Sequence, residues 1–151
     1  MTDEEYMLKA LTLAERASEK NEVPIGCVIV KKNKIIAKAY NKKERTKNPL
    51  KHAEIIAIEK AVKKTKDWRL NDCTLYVTLE PCPMCAGAIV SARVGRVVFG
   101  AYEPKSGSAE SKFKILTESG LNHKTEYTGG VLKEECVAVL QKYFASKRKK
   151  N

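Results

Sequence analysis

Three soft metal ligands occur at two places in the sequence. Cys82 and Cys85 lie in the segment Glu80-Pro81-Cys82-Pro83-Met84-Cys85, and His52 stands well before them. Two thiolates and one imidazole are one ligand short of a closed tetrahedral zinc site, and an open fourth position lets zinc hold and activate water. Glu54, two residues after the histidine, is placed to handle the protons of that water. The pattern predicts a hydrolytic zinc centre in which the three ligands hold one ion and Glu54 carries protons.

Each part of this pattern has a simpler explanation when it is taken alone. A single histidine is more often an ordinary polar or core residue than a ligand, and Cys-x-x-Cys fits redox chemistry as well as metal binding. Glu54 alone could be a favourable charge at a helix start. The combination of His-x-Glu with Pro-Cys-x-x-Cys is more specific, because it is the signature of zinc-dependent nucleobase deaminases.

The composition fits one folded domain, which we place at residues 1–151 with a basic tail at 147–151. The chain has 151 residues, 43% of them hydrophobic, which is enough for a core of its own. Its 29 Lys and Arg residues outnumber 18 Asp and Glu residues, for a net charge of +11. Such an excess favours a polyanionic partner, and nucleic acid rather than a membrane because no amphipathic anchor stands out. A lysine-rich surface without such a partner explains the charge equally well.

The sequence favours a reduced, cytoplasmic protein. The start, Met1–Glu5, is acidic and does not resemble a secretory signal, and no apolar run approaches the roughly 20 residues of a membrane span. In that compartment Cys-x-x-Cys binds metal or acts in redox chemistry and is not a structural disulfide. The other three cysteines, Cys27, Cys73 and Cys136, stand in apolar contexts and are expected to be small buried hydrophobic residues.

The first part of the chain predicts a helix followed by a hairpin. Thr2–Lys20 has capping-box spacing at its start and one apolar stripe, which predicts a helix. Val23–Lys31 and Ile35–Tyr40 are rich in β-branched residues and predict two strands, joined by a turn at Lys32-Asn33-Lys34. Asn41–Lys51 is polar and is expected to be a loop that leads to His52.

The elements after the loop must bring the histidine and the two cysteines together. A predicted helix from His52 to about Lys64 places His52 and Glu54 in its first turn, and Pro83 favours a helix start beside the cysteines. Helices and strands alternate, which predicts an α/β layered domain. The remaining predicted elements are a connector at Asp67–Asp72, a buried strand at Thr74–Leu79, a helix at Cys85–Ala92, a strand at Arg96–Gly100, a loop at Ala101–Glu110, a short helix near Ser111–Ser119, a brief strand at Thr125–Tyr127 and a helix from Val131 to about Lys147.

With these residues in view, the chain resembles the tRNA-specific adenosine deaminases of the cytidine-deaminase superfamily. Only the His-x-Glu and Cys-x-x-Cys parts are common to the superfamily. The longer motifs Thr-Leu-Glu-Pro-Cys-x-Met-Cys-Ala-Gly-Ala and Arg-Val-Val-Phe-Gly-Ala resemble the tRNA enzymes in particular. The similar segments are Glu22–Gly26, Asn41, His52–Glu54, Thr74–Ala88, Arg96–Ala101, Pro104–Gly107, Asn122–His123 and Gly130–Leu132.

The resemblance implies an α/β fold of the cytidine-deaminase type, a three-layer α/β/α sandwich around a five-stranded mixed sheet, as a homodimer. It implies conversion of adenosine to inosine at the wobble position of a tRNA, with the anticodon stem-loop as partner and one Zn2+ per subunit. The roles implied for single residues are metal binding by His52, Cys82 and Cys85, proton transfer by Glu54, purine contact by Asn41 and the backbone of Ala53, a pocket wall from Val23 and Ile25, and RNA contact in the loop of Glu103 and Lys105.

The sequence departs from the family pattern in its loops. Leu50-Lys51 precedes the histidine where small residues such as Thr-Ala are common, and Glu103 stands where aspartate is usual. Ser108–Lys114 is more charged than its counterpart. The zinc chemistry is unaffected by these changes, whereas the RNA contacts of both loops are expected to differ in detail.

Basic residues gather in the loop before the histidine and at the end of the chain. Tyr143 and Phe144, just before the basic tail, could offer stacking faces for unpaired bases. Phe144 could instead be a core residue, and the tail could be solvated or complement a helix dipole. The loop charge carries more weight because it borders the site. The basic residues are Lys42, Lys43, Arg45, Lys47 and Lys51 in the loop and Lys147-Arg148-Lys149-Lys150 in the tail.

Two other functions remain open from the sequence. A small-molecule deaminase for guanine or cytosine would use the same zinc centre, although the basic loop and the Arg-Val-Val-Phe-Gly-Ala strand favour RNA. A zinc-stabilised RNA-binding subunit without catalysis is the second alternative. The presence of Glu54 argues against it, because a structural zinc site needs a fourth ligand and no proton carrier.

Overall fold

The computed structural model describes residues 1–118, 120–121 and 123–149, with the backbone alone for residue 149. Ser119, Asn122 and the last two residues of the predicted tail lie outside this part. The elements are α1 (Asp3–Glu19), β1 (Gly26–Lys31), β2 (Lys34–Tyr40), α2 (Lys43–Thr46), α3 (Ala53–Thr65), β3 (Cys73–Leu79), α4 (Pro83–Ser91), β4 (Arg96–Ala101), β5 (Glu126–Thr128) and α5 (Lys133–Lys149). No helix in the described ranges combines the length and the apolar character needed to cross a membrane.

The five strands form one mixed sheet in the order β2-β1-β3-β4-β5. β1 pairs antiparallel with β2 and β3, whereas β3–β4 and β4–β5 are parallel. The hairpin of β1 and β2 turns through Lys32 and Asn33, which both have positive φ (50° and 63°). Two such residues match the turn geometry that suits the twist of paired strands. The predicted five-stranded mixed sheet is thus confirmed.

Helices cover both faces of the sheet, so the predicted three-layer sandwich is also confirmed. Along β1, Cys27 and Ile29 pack in a core with residues of α3 and α4, and Val28 and Val30 pack in a second core with residues of α1. Alternate side chains of a strand point to opposite faces, and strands covered on both faces are apolar throughout. This double burial explains the continuous apolar runs in the sequence.

The short helix predicted near Ser111–Ser119 is wrong for the described residues, which form turns. The amide N–H groups of Ala109, Glu110 and Ser111 all donate to the Glu80 carboxylate. The N–H groups of Phe113 and Ile115 donate to carbonyls of residues 107 and 108. These acceptors lie more than four residues earlier in the chain, which an α-helix does not allow.

The predicted loop Asn41–Lys51 contains the short helix α2. Glu22, which is fully buried, accepts hydrogen bonds from the amide N–H groups of Glu44 (2.9 Å) and Arg45 (2.6 Å). The first N–H groups of a helix have no partner within it, and a carboxylate satisfies them well. The stabilising residue therefore comes from a distant part of the sequence.

An ion pair connects the first turn of α1 to the sheet. Arg96 donates to both carboxylate oxygens of Asp3, at 3.1 and 2.8 Å, and the Tyr76 hydroxyl donates to the same carboxylate at 2.7 Å. The predicted capping box is present just before it, with Glu5 N–H and the Thr2 hydroxyl oxygen 3.2 Å apart. This partly buried group fixes the helix start against β3 and β4.

We expect Asp3→Asn to lower the free energy of unfolding by about 1–2 kcal/mol at neutral pH, because Arg96 and Tyr76 lose a charged acceptor. The hydrogen bonds from Arg96 lower the pKa of Asp3. A lowered pKa stabilises the folded state above the unfolded value of about 3.9, and this stabilisation is lost as the pH falls through the folded value. Urea unfolding should therefore show the two proteins converging below about pH 4.

The control is Asp67→Asn, which changes an exposed carboxylate beside Arg69. We expect a much smaller effect there, because exposed ion pairs contribute little. Equal losses for the two variants would contradict the role assigned to Asp3.

Candidate active site and metal centre

The predicted ligands lie at the starts of two helices. His52 is the N-cap of α3 and Cys82 is the N-cap of α4, and their carbonyls accept from the N–H groups of Ile56 (3.1 Å) and Ala86 (2.9 Å). Pro83 occupies the start of α4, as predicted, and Cys85 lies in the first turn. Both helix starts therefore meet at one point, and their positive ends favour the negative charge of thiolates.

The three ligand atoms are close enough to bind one ion. The Nδ1 atom of His52 lies 3.7 Å from the Sγ of Cys82 and 3.6 Å from the Sγ of Cys85. Sulfur and nitrogen ligands of one tetrahedral zinc ion are about 3.5 Å apart, from zinc–ligand distances of about 2.3 and 2.0 Å. Among the described residues, this is the one cluster of at least three His, Cys, Asp or Glu side chains that could hold a metal ion. The geometry and the soft donor set fit zinc.

Hydrogen bonds within the cluster prepare one cysteine as a thiolate. The Cys85 thiol lowers the pKa of Cys82 to about 4, with a smaller contribution from His52. The same contact and burial raise the pKa of Cys85. The contact with Cys82 also raises the pKa of His52. Metal binding needs deprotonated ligands, so an ion at this point would displace the protons that these groups hold.

Glu54 is buried beside this cluster with one unsatisfied oxygen. The residue is only 4% exposed, and its Oε1 atom has no hydrogen-bond partner among the described residues. Burial raises the pKa of Glu54 to about 7. Buried polar atoms without partners are rare and often mark a position where a ligand or substrate binds. A carboxyl group with this pKa can both take up and release a proton near neutral pH.

A cavity of about 160 Å3 opens onto these residues. Three larger surface depressions contain none of the metal ligands. Five of the eight lining residues were predicted as site residues: three at the metal centre, one in the pocket wall and one in the RNA loop. The other three were not singled out from the sequence. The lining residues are His52, Glu54, Cys82, Ile25 and Glu103, together with Leu79, Glu80 and Ser106.

The other predicted contact residues lie outside the cavity lining. Asn41 follows β2 and is buried, with its Oδ1 atom unpaired within the described chain. Ala53 is fully buried at the start of α3, and Val23 lies just before β1. Lys105 is exposed in the loop after β4, and Phe144 is 44% exposed on α5. Their roles in substrate binding remain predictions.

Phe144 is therefore not a core residue, whereas the three cysteines outside the site are. Cys27, Cys73 and Cys136 are at most 2% exposed, as predicted. The residue that we missed most clearly is Glu80, which lines the cavity and binds the loop after β4. Its signal in the sequence is a charged residue at the end of an apolar strand, next to the proline of the cysteine motif.

The chain is similar to known deaminases over nearly its whole length. Residues 1–148 match the family model described as MafB19-like deaminase. The tRNA-specific adenosine deaminase of Bacillus subtilis (strain 168) is 49% identical, over 98% of this chain and 92% of its own length. That of Haemophilus influenzae is 44% identical, over 97% of this chain and 85% of its own length.

Solved structures give the same result. A structure from a study of A-to-I editing by tRNA:A34 deaminases at the wobble position has a TM-score of 0.87 and 38% identity, covering 90% of this chain and 99% of that one. A guanine deaminase from Nitrosomonas europaea has a TM-score of 0.80 at 23% identity, covering 94% and 84%, and shows the shared fold only. Sequence and structure together show that the chain belongs to the family of tRNA-specific adenosine deaminases.

Proposed function

We propose that the protein is a zinc-dependent hydrolase that converts adenosine to inosine at the wobble position of a tRNA anticodon. The observation that carries this proposal is the unpaired, buried carboxylate oxygen of Glu54 beside the His52, Cys82 and Cys85 cluster. A purely structural zinc site has four protein ligands and no use for such a group. The choice of adenosine in tRNA is supported by the relatives and by the wobble deaminase structure.

The reaction consumes water and releases ammonia, and the chain's own residues move the protons. When bound, zinc makes water available as a nucleophile at neutral pH. The Glu54 carboxylate takes a proton from the attacking water and delivers a proton to the amino group, which leaves as ammonia. Burial raises the pKa of Glu54, which brings the carboxyl group closer to the range in which it can both accept and donate a proton. Ile25 and Leu79 contribute apolar walls to the cavity.

The proposed RNA surface consists of the basic loop before His52 and of part of α5. The basic loop ends at Lys51, directly before His52, which supports contacts between this loop and a substrate at the cavity. On α5, the Tyr143 hydroxyl donates to the carbonyl of Asn21 at 3.2 Å, and Asn21 directly precedes the residue that holds α2. The basic loop and the exposed ring of Phe144 therefore belong to neighbouring segments. This arrangement supports phosphate contacts by the loop and stacking by Phe144.

The assembly and the location of the protein are further parts of the proposal. The family resemblance implies a homodimer, and sedimentation velocity would measure it directly. A tRNA substrate implies a cytoplasmic enzyme. One zinc ion per subunit follows from the single three-ligand cluster within the described residues.

We expect Glu54→Gln to lower kcat by a factor of about 100 to 10,000, because the amide cannot carry the proton between water and the amino group. Zinc content, measured by mass spectrometry of the metal, should stay at one ion per chain. Glu15→Gln changes an exposed carboxylate on α1, across the sheet, and should leave kcat unchanged. Full activity of the Glu54 variant would remove this residue from the mechanism.

Cys82→Ala should abolish zinc binding and deamination together, because two ligands remain and neither the charge nor the geometry of the site is kept. The matched control is Cys73→Ala, which removes a buried thiol that lies outside the cluster. That variant should retain one zinc ion per chain. Equal zinc retention in both variants would contradict the assigned ligand set.

The substrate is tested with an anticodon stem-loop that has adenosine at the wobble position, a matched stem-loop with guanosine there, and free guanine and cytosine. We expect inosine and ammonia from the adenosine stem-loop and no turnover of the other three. Affinity for the stem-loop should fall steeply as salt rises, because phosphate contacts release counterions. Turnover of a free base without turnover of the RNA would favour the small-molecule alternative.

A further inference from the structure

Glu80 is a buried carboxylate whose hydrogen bonds all come from one segment of the chain. It is 2% exposed and lies directly after β3, two residues before Cys82. Its Oε1 atom accepts from the N–H group of Glu103 at 3.0 Å and from the Ser111 hydroxyl. Its Oε2 atom accepts from the N–H groups of Ala109 (3.1 Å), Glu110 (2.8 Å) and Ser111 (2.9 Å). None of these donors is a lysine or an arginine.

The residues bound in this way define the 103–111 segment, which forms part of the cavity wall. Glu103 and Ser106 line the cavity together with His52 and Glu54. The segment closes tightly around the carboxylate: a Cβ atom at Gly107 would collide with Glu80 Oε1. Ser108 N–H also donates to the Pro81 carbonyl at 2.8 Å. The segment is therefore bound to Glu80 and Pro81, the two residues that directly precede Cys82.

We propose that Glu80 is a positioning residue for the RNA substrate, which holds the 103–111 segment in the shape that the substrate meets at the cavity. This inference rests on the proposed function, since it concerns how the same site binds its RNA. A carboxylate offers about four acceptor positions and no donor, so it can satisfy several converging N–H groups at once. Apolar packing would not fix the direction of five donors.

The proposal predicts which end of the segment depends most on the negative charge. In Glu80→Gln, the amide oxygen is expected to take the place of Oε2, where three N–H groups converge. The amide NH2 group then faces the N–H group of Glu103, and two donors cannot bond to each other. The Ser111 hydroxyl can turn to accept, so the lost contact is the one beside the cavity. Release of Glu103 should weaken RNA binding while the metal ligands keep their places.

The test compares Glu80→Gln with the unmodified chain on the adenosine stem-loop. We expect zinc to stay at one ion per chain, KM to rise about tenfold, and kcat to change much less. Hydrogen exchange should become faster in the 103–111 segment and remain unchanged in the 42–51 loop. Asp3→Asn is the control for destabilisation elsewhere, and it should leave KM and the exchange of this segment unchanged. An unchanged KM, or loss of zinc with loss of activity, would overturn the proposal.

A second variant keeps the test decisive if Glu80→Gln does not fold. Ser111→Ala removes one hydrogen bond to the carboxylate and leaves the four backbone donors. Relative to the unmodified chain, it should raise KM and accelerate exchange in the same segment. An unchanged KM or an unchanged exchange rate would overturn the proposal. If the unmodified protein does not deaminate the stem-loop, the proposed function fails. In that case, faster hydrogen exchange of the 103–111 segment in Glu80→Gln would still show that Glu80 holds this segment.

Discussion

The structure must bring three ligand atoms to one point although they belong to helices that begin far apart in the sequence. The fold meets this requirement at the N-termini of α3 and α4, whose N-caps are the ligands His52 and Cys82. The helix α4 begins shortly after β3 ends, and α3 follows the loop that contains α2. The histidine nitrogen lies 3.6–3.7 Å from both sulfurs, and these distances fit ligands of one tetrahedral zinc ion. The double burial of the strands makes this arrangement rigid, since neither helix can shift without disturbing a packed core.

Three buried glutamates show how the surroundings of a carboxylate determine its role. Each carboxylate oxygen of Glu22 and Glu80 accepts at least one backbone N–H group, so these two residues hold chain segments in place. Glu54 is equally buried, yet one of its oxygens has no partner in the described chain, and its pKa rises towards neutrality. Desolvation favours the protonated form and moves the pKa towards the range in which a carboxyl group can exchange protons at neutral pH. The unpaired oxygen thus separates the reactive glutamate from the two structural ones.

The same distinction explains what could be predicted from the sequence. The α1 helix, the hairpin and the metal ligands follow local rules: a capping box, β-branched runs, and the types and spacing of ligands. The helix α2 and the turns after Gly107 depend on Glu22 and Glu80, which lie at least twenty residues away along the chain. Propensity and periodicity describe neighbours only, so they contain no information about a distant acceptor. The exposure of Phe144 could not be predicted either, because the pattern of an apolar helix face does not show which other part of the protein packs against it.

The anchoring of a loop through its backbone also bears on how such an enzyme can change over time. Glu80 holds the amide groups of residues 103 and 109–111, and every residue except proline has such a group. The exposed side chains of this segment can therefore be exchanged without loss of the loop's shape, which agrees with the charged character of Ser108–Lys114 in this chain. In such a loop, the backbone contacts keep the shape, while the exposed side chains can vary and change the substrate specificity. New substrate preferences can arise at the rim while the catalytic centre is left intact.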